Sequence, residues 1–329
     1  MDQLIANHNQ QIALLTNTYN ANVRTVRNLR GITNARRNVL INQLTNNYRV
    51  AITNLQNKFQ QDMKVLQDEK NKGKKTALLI GINYFNTRYR LYGCINDTIS
   101  MKKLLSEKYG FTNFIELTDA TNNPLKPTKK NIIDNLTKLL VNSKSGDQIV
   151  FFYSGHGITS KDLNGDEISG LDNLLVPSDS TENSKNYIVD DELKDIFNKY
   201  LKQGVQVFSL LDCCFSGTGL DLKYNYLDTT NEGKLTTNEK QSETQGQVIM
   251  ISGCTDYQTS SDVQFTDSSN NKFYGGAVTY SFLKCLSPNI SYKSLIEKMR
   301  QVLSNEGHSQ IPQLSSGKLI DINLTQFKL

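Results

Sequence analysis

The sequence predicts an α/β domain, a mainly parallel sheet flanked by helices, preceded by an α-helical N-terminal segment. Three observations carry this reading. Up to about residue 70 the chain is rich in Asn and Gln, with no proline and one glycine, Gly31. Beyond it, short apolar runs alternate with helix-type segments. Those runs are continuous, which suits strands covered on both faces of a parallel sheet.

Taken in order, residues 1–70 carry Ile5, Ile12, Tyr19, Val26 and Leu40 on a seven-residue spacing, with Leu15 and Leu29 between them. Ile41, Leu44, Tyr48, Ile52, Leu55, Phe59, Met63 and Leu66 follow at alternating threes and fours. Such spacing lays one apolar stripe along a helix, and a stripe needs a partner. A helical hairpin or coiled coil is expected, broken at Gly31 and interrupted by Asn22, Thr33 and Asn47. Residues 71–75, within KNKGKK, read as a linker. The domain from 76 to 329 then runs TALLIGI (76–82), a helix around 97–108, FIEL (114–117), a helix around 128–141 and QIVFFY (148–153). DNLLVP (172–177), a helix around 190–201, VQVFSLL (205–211), VIMISG (248–253) and helices around 277–286 and 291–304 complete it.

Composition narrows the function. The chain has 329 residues and a net charge of +5. Residues 1–70 already hold that excess, nine Lys or Arg against four acids, so the remainder is formally neutral. Arg24, Arg27 and Arg30 read as a solvated helix face, and nucleic acid is not expected as a partner. The five cysteines are sparse and irregularly spaced, which argues against a disulfide framework and for a reducing, cytoplasmic setting. No CxxC pair points to structural zinc, and no apolar run is long enough to span a bilayer.

In open parallel sheets, chemistry sits at the carboxyl ends of strands. Two runs end in unusual residues: QIVFFY leads into SGHG and VQVFSLL into DCCFSG. Only three histidines exist, His8, His156 and His308, and His156 follows a buried strand between two glycines. Paired with a cysteine at a neighbouring strand end it makes a dyad candidate, in which imidazole takes the thiol proton and the thiolate attacks a carbonyl. Alternation places Cys213 and Cys214 on opposite faces, with Cys214 on the side of Asp212. Parity alone does not choose between them, and two small buried hydrophobes closing a strand is the plain alternative.

SGHG followed about sixty residues later by DCCFSG resembles the His and Cys motifs of the metacaspases, caspase-like cysteine peptidases. LIGINYF, LYGCINDT, VDDEL, DCCFSGTGLDL and ISGCTDYQTS occur in that family's order over residues 76–320. The resemblance implies a caspase-like fold, His156 as general base and Cys214 as nucleophile. It also implies an oxyanion hole from the backbone N–H groups of Gly157 and Cys214. Phe215 departs from a histidine common in the family and lies outside the dyad. The family cleaves after Arg or Lys, and Asp97 and Asp212 match its pocket acids, Cys94 and Ser154 its pocket walls. Physically, a cationic side chain needs acid at the pocket base, because an unpaired buried charge is costly. The plain alternative for Asp97 is capping of the helix that follows it.

The same resemblance implies calcium, held by Asp172, Asp190, Asp191 and Asp221. Hard cations prefer clustered carboxylate oxygens, although Asp190 and Asp191 also precede a helix they could cap. DLNGDE at 162–167 is not an EF-hand, since its glycine falls in the fourth place and no suitably spaced glutamate follows. The polar stretch 228–246 is expected to be an exposed, mobile loop. It carries Lys234 and Lys240, and residues 70–75 carry Lys70, Lys72, Lys74 and Lys75, all candidates for self-cleavage. Expected partners are therefore Arg- or Lys-containing protein substrates, calcium, and a further copy or partner engaged through the N-terminal helices. Two other functions are weighed: a non-proteolytic caspase-like scaffold recruiting partners through those helices, and a caspase-fold peptidase specific for Asn. Intact His156 and Cys214 speak against the first, the paired acids against the second.

Overall fold

The computed structural model describes residues 2–71, 73–162, 170–180, 186–213, 219–226, 235–253, 262–266, 272–308 and 310–329. The chain divides into two units, Met1–Lys72 and Gly73–Leu329.

The first unit is a hairpin of α1 (Asp2–Asn28) and α2 (Asn34–Asn71). The rings of Tyr19 and Tyr48 stack at 4.6 Å, and His8 stacks on Phe59 at 4.1 Å. Each tyrosine hydroxyl meets a threonine of the opposite helix, Tyr19 with Thr45 and Tyr48 with Thr16, both at 3.0 Å. At the turn, Gly31 takes φ 78°, a conformation that costs glycine nothing. Arg37 donates to the carbonyls of Arg27 and Leu29, satisfying groups left open at the end of α1. Val23 is the one apolar residue of this unit that is buried among the described residues, while Leu14, Val39, Val50 and Val65 are exposed. A two-helix seam covers one narrow stripe, and the rest of each apolar face stays in water.

The second unit begins with β1 (Lys75–Gly81), α3 (Cys94–Tyr109), β2 (Asn113–Thr118), α4 (Lys129–Asn142) and β3 (Gln148–Ser154). It continues through β4 (Gly157–Lys161), β5 (Leu171–Leu175), β6 (Ile188–Val189), α5 (Asp190–Tyr200), β7 (Gln206–Asp212), β8 (Tyr224–Tyr226) and β9 (Leu235–Thr237). Last come β10 (Gln247–Ser252), β11 (Asp262–Thr266), β12 (Lys272–Gly276), α6 (Ala277–Cys285), α7 (Tyr292–Asn305) and β13 (Gln313–Ser316). The main sheet has the order β2-β1-β3-β7-β10-β13-β8-β9. Its first five strands are parallel, as continuous apolar runs joined by helical crossovers require.

The far edge differs from the expected pattern: β13, β8 and β9 run antiparallel, strands too short and polar to stand out in the sequence. DNLLVP, read as one more strand of the series, instead forms β5 of a separate antiparallel sheet, β4-β5-β6. The expected mobile loop 228–246 is corrected in its second half. Residues 235–237 form β9, and Asn238, Gln241 and Thr244 are buried, with the Thr244 amide donating to the Gly317 carbonyl at 3.2 Å. Residues 227–234 lie outside the described residues.

Helices cover the sheet on both sides. One core layer gathers Leu78, Ile80, Phe151 and Tyr153 with Leu136 of α4 and Phe197 of α5. The other gathers Leu79, Phe152 and Leu210 with Met101 of α3, Phe282 of α6 and Met299 of α7. Thr128 and Ser291 cap α4 and α7, each side chain accepting from a backbone N–H three residues on.

Candidate active site

The two strand ends singled out in the sequence are neighbours. β3 and β7 run parallel with Ser154 opposite Asp212, and the Gly155 amide donates to the Asp212 carbonyl at 3.3 Å. Alternation then sorts the side chains by face. Phe151 and Tyr153 of β3, with Leu211 and Cys213 at the end of β7, belong to the layer under α4 and α5. Ser154 and Asp212 fall one residue out of phase and meet α3 and α6. Cys213 is 1% exposed within its layer, so it is a packing residue. Cys214, like Cys254, lies outside the described residues.

His156 is half-buried just past β3, and its ring sits against Tyr84 with centroids 4.6 Å apart. Its Nε2 lies 2.6 Å from the carbonyl oxygen of Tyr89, so this nitrogen carries the proton and Nδ1 is the basic one. The backbone is fixed as firmly as the ring. The His156 N–H donates to the Tyr84 hydroxyl at 2.8 Å, and the Tyr153 hydroxyl donates to the His156 carbonyl at 2.8 Å. Tyr84 in turn donates to the Val176 carbonyl at 2.7 Å. Burial pushes both phenols well above the usual range, so they are neutral donors at any ordinary pH. Tyr84 and Asn86 hold left-handed conformations, φ 50° and 62°, in the loop that delivers the Tyr89 carbonyl. Strain of this kind persists only where its surroundings enforce it.

On the opposite face lie the two acids. Asp97 does not cap α3, whose N-cap is Gly93 without a side-chain bond. Its Oδ2 accepts from Ser154 Oγ at 2.8 Å and from the Gly276 N–H at 2.9 Å. Asp212 Oδ2 accepts from the Thr279 N–H at 2.7 Å, in the first turn of α6, where a carboxylate is favoured. A Cβ on Gly276 would lie 2.1 Å from Asp212 Oδ2, so glycine alone allows the acid so close to the backbone. Cys94, the first residue of α3, is buried, its carbonyl 2.5 Å from where a Cβ on Gly81 would sit. Gly157 opens β4 and pairs with Leu175.

Of the four acids assigned to calcium, Asp172, Asp190 and Asp221 are buried, and all offer the hard oxygen that calcium takes. The N-cap position of α5 is held by Val189 and not by Asp190 or Asp191. Asp190 instead accepts from the Asn173 N–H at 2.7 Å and from the Asp191 N–H at 3.1 Å. Ser160 Oγ donates to Asp172 at 3.4 Å, Asp191 pairs with Lys194 at 3.6 Å, and Asp221 holds φ 44°. Among the described residues, no three His, Cys, Asp or Glu side chains gather closely enough to hold a metal. The donor chemistry fits calcium, but these four acids do not by themselves form a coordination sphere.

Tyr84, Tyr89, Tyr153, Gly276 and Thr279 shape the site and were not singled out in the sequence. Tyr84 and Tyr153 were visible only as members of LIGINYF and QIVFFY. Gly276 carried no local signal, because its role comes from Asp212, 64 positions earlier in the chain.

Comparison with known proteins follows the same outline. The profile of the metacaspase peptidase C14 domain matches residues 74–223. The chain is 36% identical over 302 residues to Metacaspase-1 of Schizosaccharomyces pombe, covering 77% of this chain and 69% of that one. It is 36% identical over 301 residues to Metacaspase-1 of Debaryomyces hansenii, covering 77% and 67%. Among solved structures, a protein of Geobacter sulfurreducens superposes with a TM-score of 0.54 at 22% identity, over 78% of this chain and 97% of that one, which speaks to the fold. No helix among the described residues is long and apolar enough to cross a membrane. With His156 and the acids placed on a parallel sheet of this kind and relatives this similar across most of their length, the chain belongs to the metacaspases, a family of cysteine peptidases.

Proposed function

We propose that this metacaspase is a cysteine endopeptidase cleaving after Arg or Lys, with His156 as general base and Cys214 as nucleophile. The observation that supports it most is the pairing of Ser154 with Asp212: the residues leading to His156 and to Cys214 leave adjacent strands at the same edge. Nδ1 of His156 takes the thiol proton, and the thiolate attacks the scissile carbonyl. The negative charge on oxygen is met by the N–H groups of Gly157 and Cys214. Collapse breaks the C–N bond, the imidazolium returns its proton to the departing amine, and a thioester remains. Water, deprotonated by the same imidazole, releases the acid and restores the thiol. The Tyr89 carbonyl keeps a proton on Nε2 whether Nδ1 is bare or protonated.

Asp97 and Asp212 give the substrate pocket its charge, with Cys94 and Ser154 as walls. A guanidinium entering there exchanges water for two carboxylates already fixed by backbone donors. Calcium, held through Asp172, Asp190, Asp191 and Asp221, would order acidic segments next to the site. Calorimetric titration of calcium into the full chain and into Asp190→Asn tests this apart from activity. Self-cleavage is part of the proposal, and two candidates are disfavoured. Lys74 and Lys75 are built into the domain edge, with the Lys74 N–H on Asp147 at 2.7 Å and the Lys75 ammonium on the Tyr109 and Leu329 carbonyls. That leaves Lys70, Lys72, Lys234 and Lys240, in a cytoplasmic enzyme that meets a partner or a further copy through its N-terminal helices.

The experiment is hydrolysis of Arg- and Asp-terminated fluorogenic peptides, with and without calcium, by wild type, Cys213→Ala and Cys214→Ala. Arg cleavage lost only in Cys214→Ala supports the proposal. Cleavage of no peptide by folded, calcium-loaded wild type overturns it.

A further inference from the structure

A cavity of about 850 Å³ opens beside His156, within the size range of ligand sites. Tyr84, Phe85, Tyr89, Ile158, Val176 and Tyr187 line it. It lies on the α4 and α5 face of the sheet, where Tyr84 and Val176 pack, whereas Asp97 and Asp212 face α3 and α6. His156 lines the cavity, two residues past Ser154, whose hydroxyl is bonded to Asp97 on the other face.

That position fixes what the cavity can receive. The imidazole must reach the scissile nitrogen to protonate it, so a bound peptide crosses the ring at that atom. The side chain before the scissile bond goes to the acids, and the chain after it continues past His156 to the other face. Resting on the peptidase reading above, we propose that this cavity is the leaving-segment subsite. It takes a bulky apolar side chain from the residue just after the scissile bond.

The lining supplies the reason. Four of the six residues named are aromatic, and flat rings with few torsions bind apolar side chains at low entropic cost. The charged groups at its edge discriminate further. Arg88 stacks over the Tyr89 ring at 4.8 Å, and Lys126 donates to the Ala120 carbonyl. Among the described residues the one acid in its lining, Asp119, already accepts from the Asn83 N–H at 2.9 Å and from the Phe85 N–H at 3.4 Å. A second Lys or Arg entering here would face two cations and a carboxylate whose oxygens are engaged by backbone.

The test uses the full chain and two kinds of substrate with Arg before the scissile bond: a coumarin amide, and internally quenched peptides with Phe, Leu, Ala, Lys or Asp after it. For wild type, kcat/KM should be at least about 10-fold higher for Phe or Leu than for Lys, with Ala between. In Ile158→Lys, and in Tyr187→Ala as a second variant, the ratio of Phe-peptide to coumarin-amide hydrolysis should fall by about the same factor. A flat series in wild type, or ratios unchanged in both folded variants, overturns the subsite. Failure of wild type to hydrolyse even the coumarin amide overturns the peptidase reading, and the subsite with it.

Discussion

Nε2 of His156 meets the carbonyl oxygen of Tyr89 at 2.6 Å, and the loop that makes this contact turns through left-handed conformations at Tyr84 and Asn86. Asparagine tolerates φ 62°, whereas a β-branched residue does not. Asn86→Val should therefore cost about 1–3 kcal/mol of stability. It should also lower kcat more than it raises KM, because the ring loses its anchor. Asn86→Gly should keep both. Urea unfolding and steady-state kinetics on an Arg substrate check this.

The acids can be tested by shape and by charge separately. Gly276→Ala forces a methyl group into the Asp212 carboxylate, and should cost about 2–4 kcal/mol and displace the start of α6. Asp97→Asn keeps an acceptor for Gly276 while removing one charge from the pocket. It should lower kcat/KM for Arg substrates by about 100-fold with little change in Tm. Equal losses of stability in the two variants would count against a pocket role for Asp97.

Cys213 packs against its layer and does not face the acids. Cys213→Ala should cost about 1 kcal/mol, the loss of one buried sulfur, and leave kcat within a factor of two. Alkylation kinetics make the same point: an iodoacetamide-reactive thiol should survive in Cys213→Ala.

The buried phenols give an alkaline signature. Folding holds Tyr84 and Tyr153 protonated beyond the pH at which they ionise in the unfolded chain. The folded state thus binds more protons above about pH 10, and stability must fall as pH rises through that point. It is fully present below it. Tyr153→Phe should flatten the decline in urea midpoint between pH 9 and 11 relative to wild type, even if its midpoint at pH 7 is lower.

Much of the candidate site's edge was legible in the sequence. The five parallel strands announced themselves as apolar runs, and SGHG and DCCFSG stood at strand ends that proved adjacent. What stayed hidden was of two kinds. β8, β9 and β13 are only three or four residues long, too short to show a period, and three of the four residues of β13 are polar although the strand is buried. The bonds from Asp97 and Asp212 to Gly276 and Thr279 join residues far apart in the chain, so local pattern favoured a helix cap for Asp97 and offered nothing for Gly276. Asp212 does cap a helix, but one that begins 65 residues later.

Because Asp97 and Asp212 accept from the amides of Gly276 and Thr279, whatever cation draws on these carboxylates also pulls at the first turn of α6. Those two amides are thereby built-in reporters. Their hydrogen–deuterium exchange rates should change when the acids are engaged, and an occupant that reaches neither acid should leave them as they were.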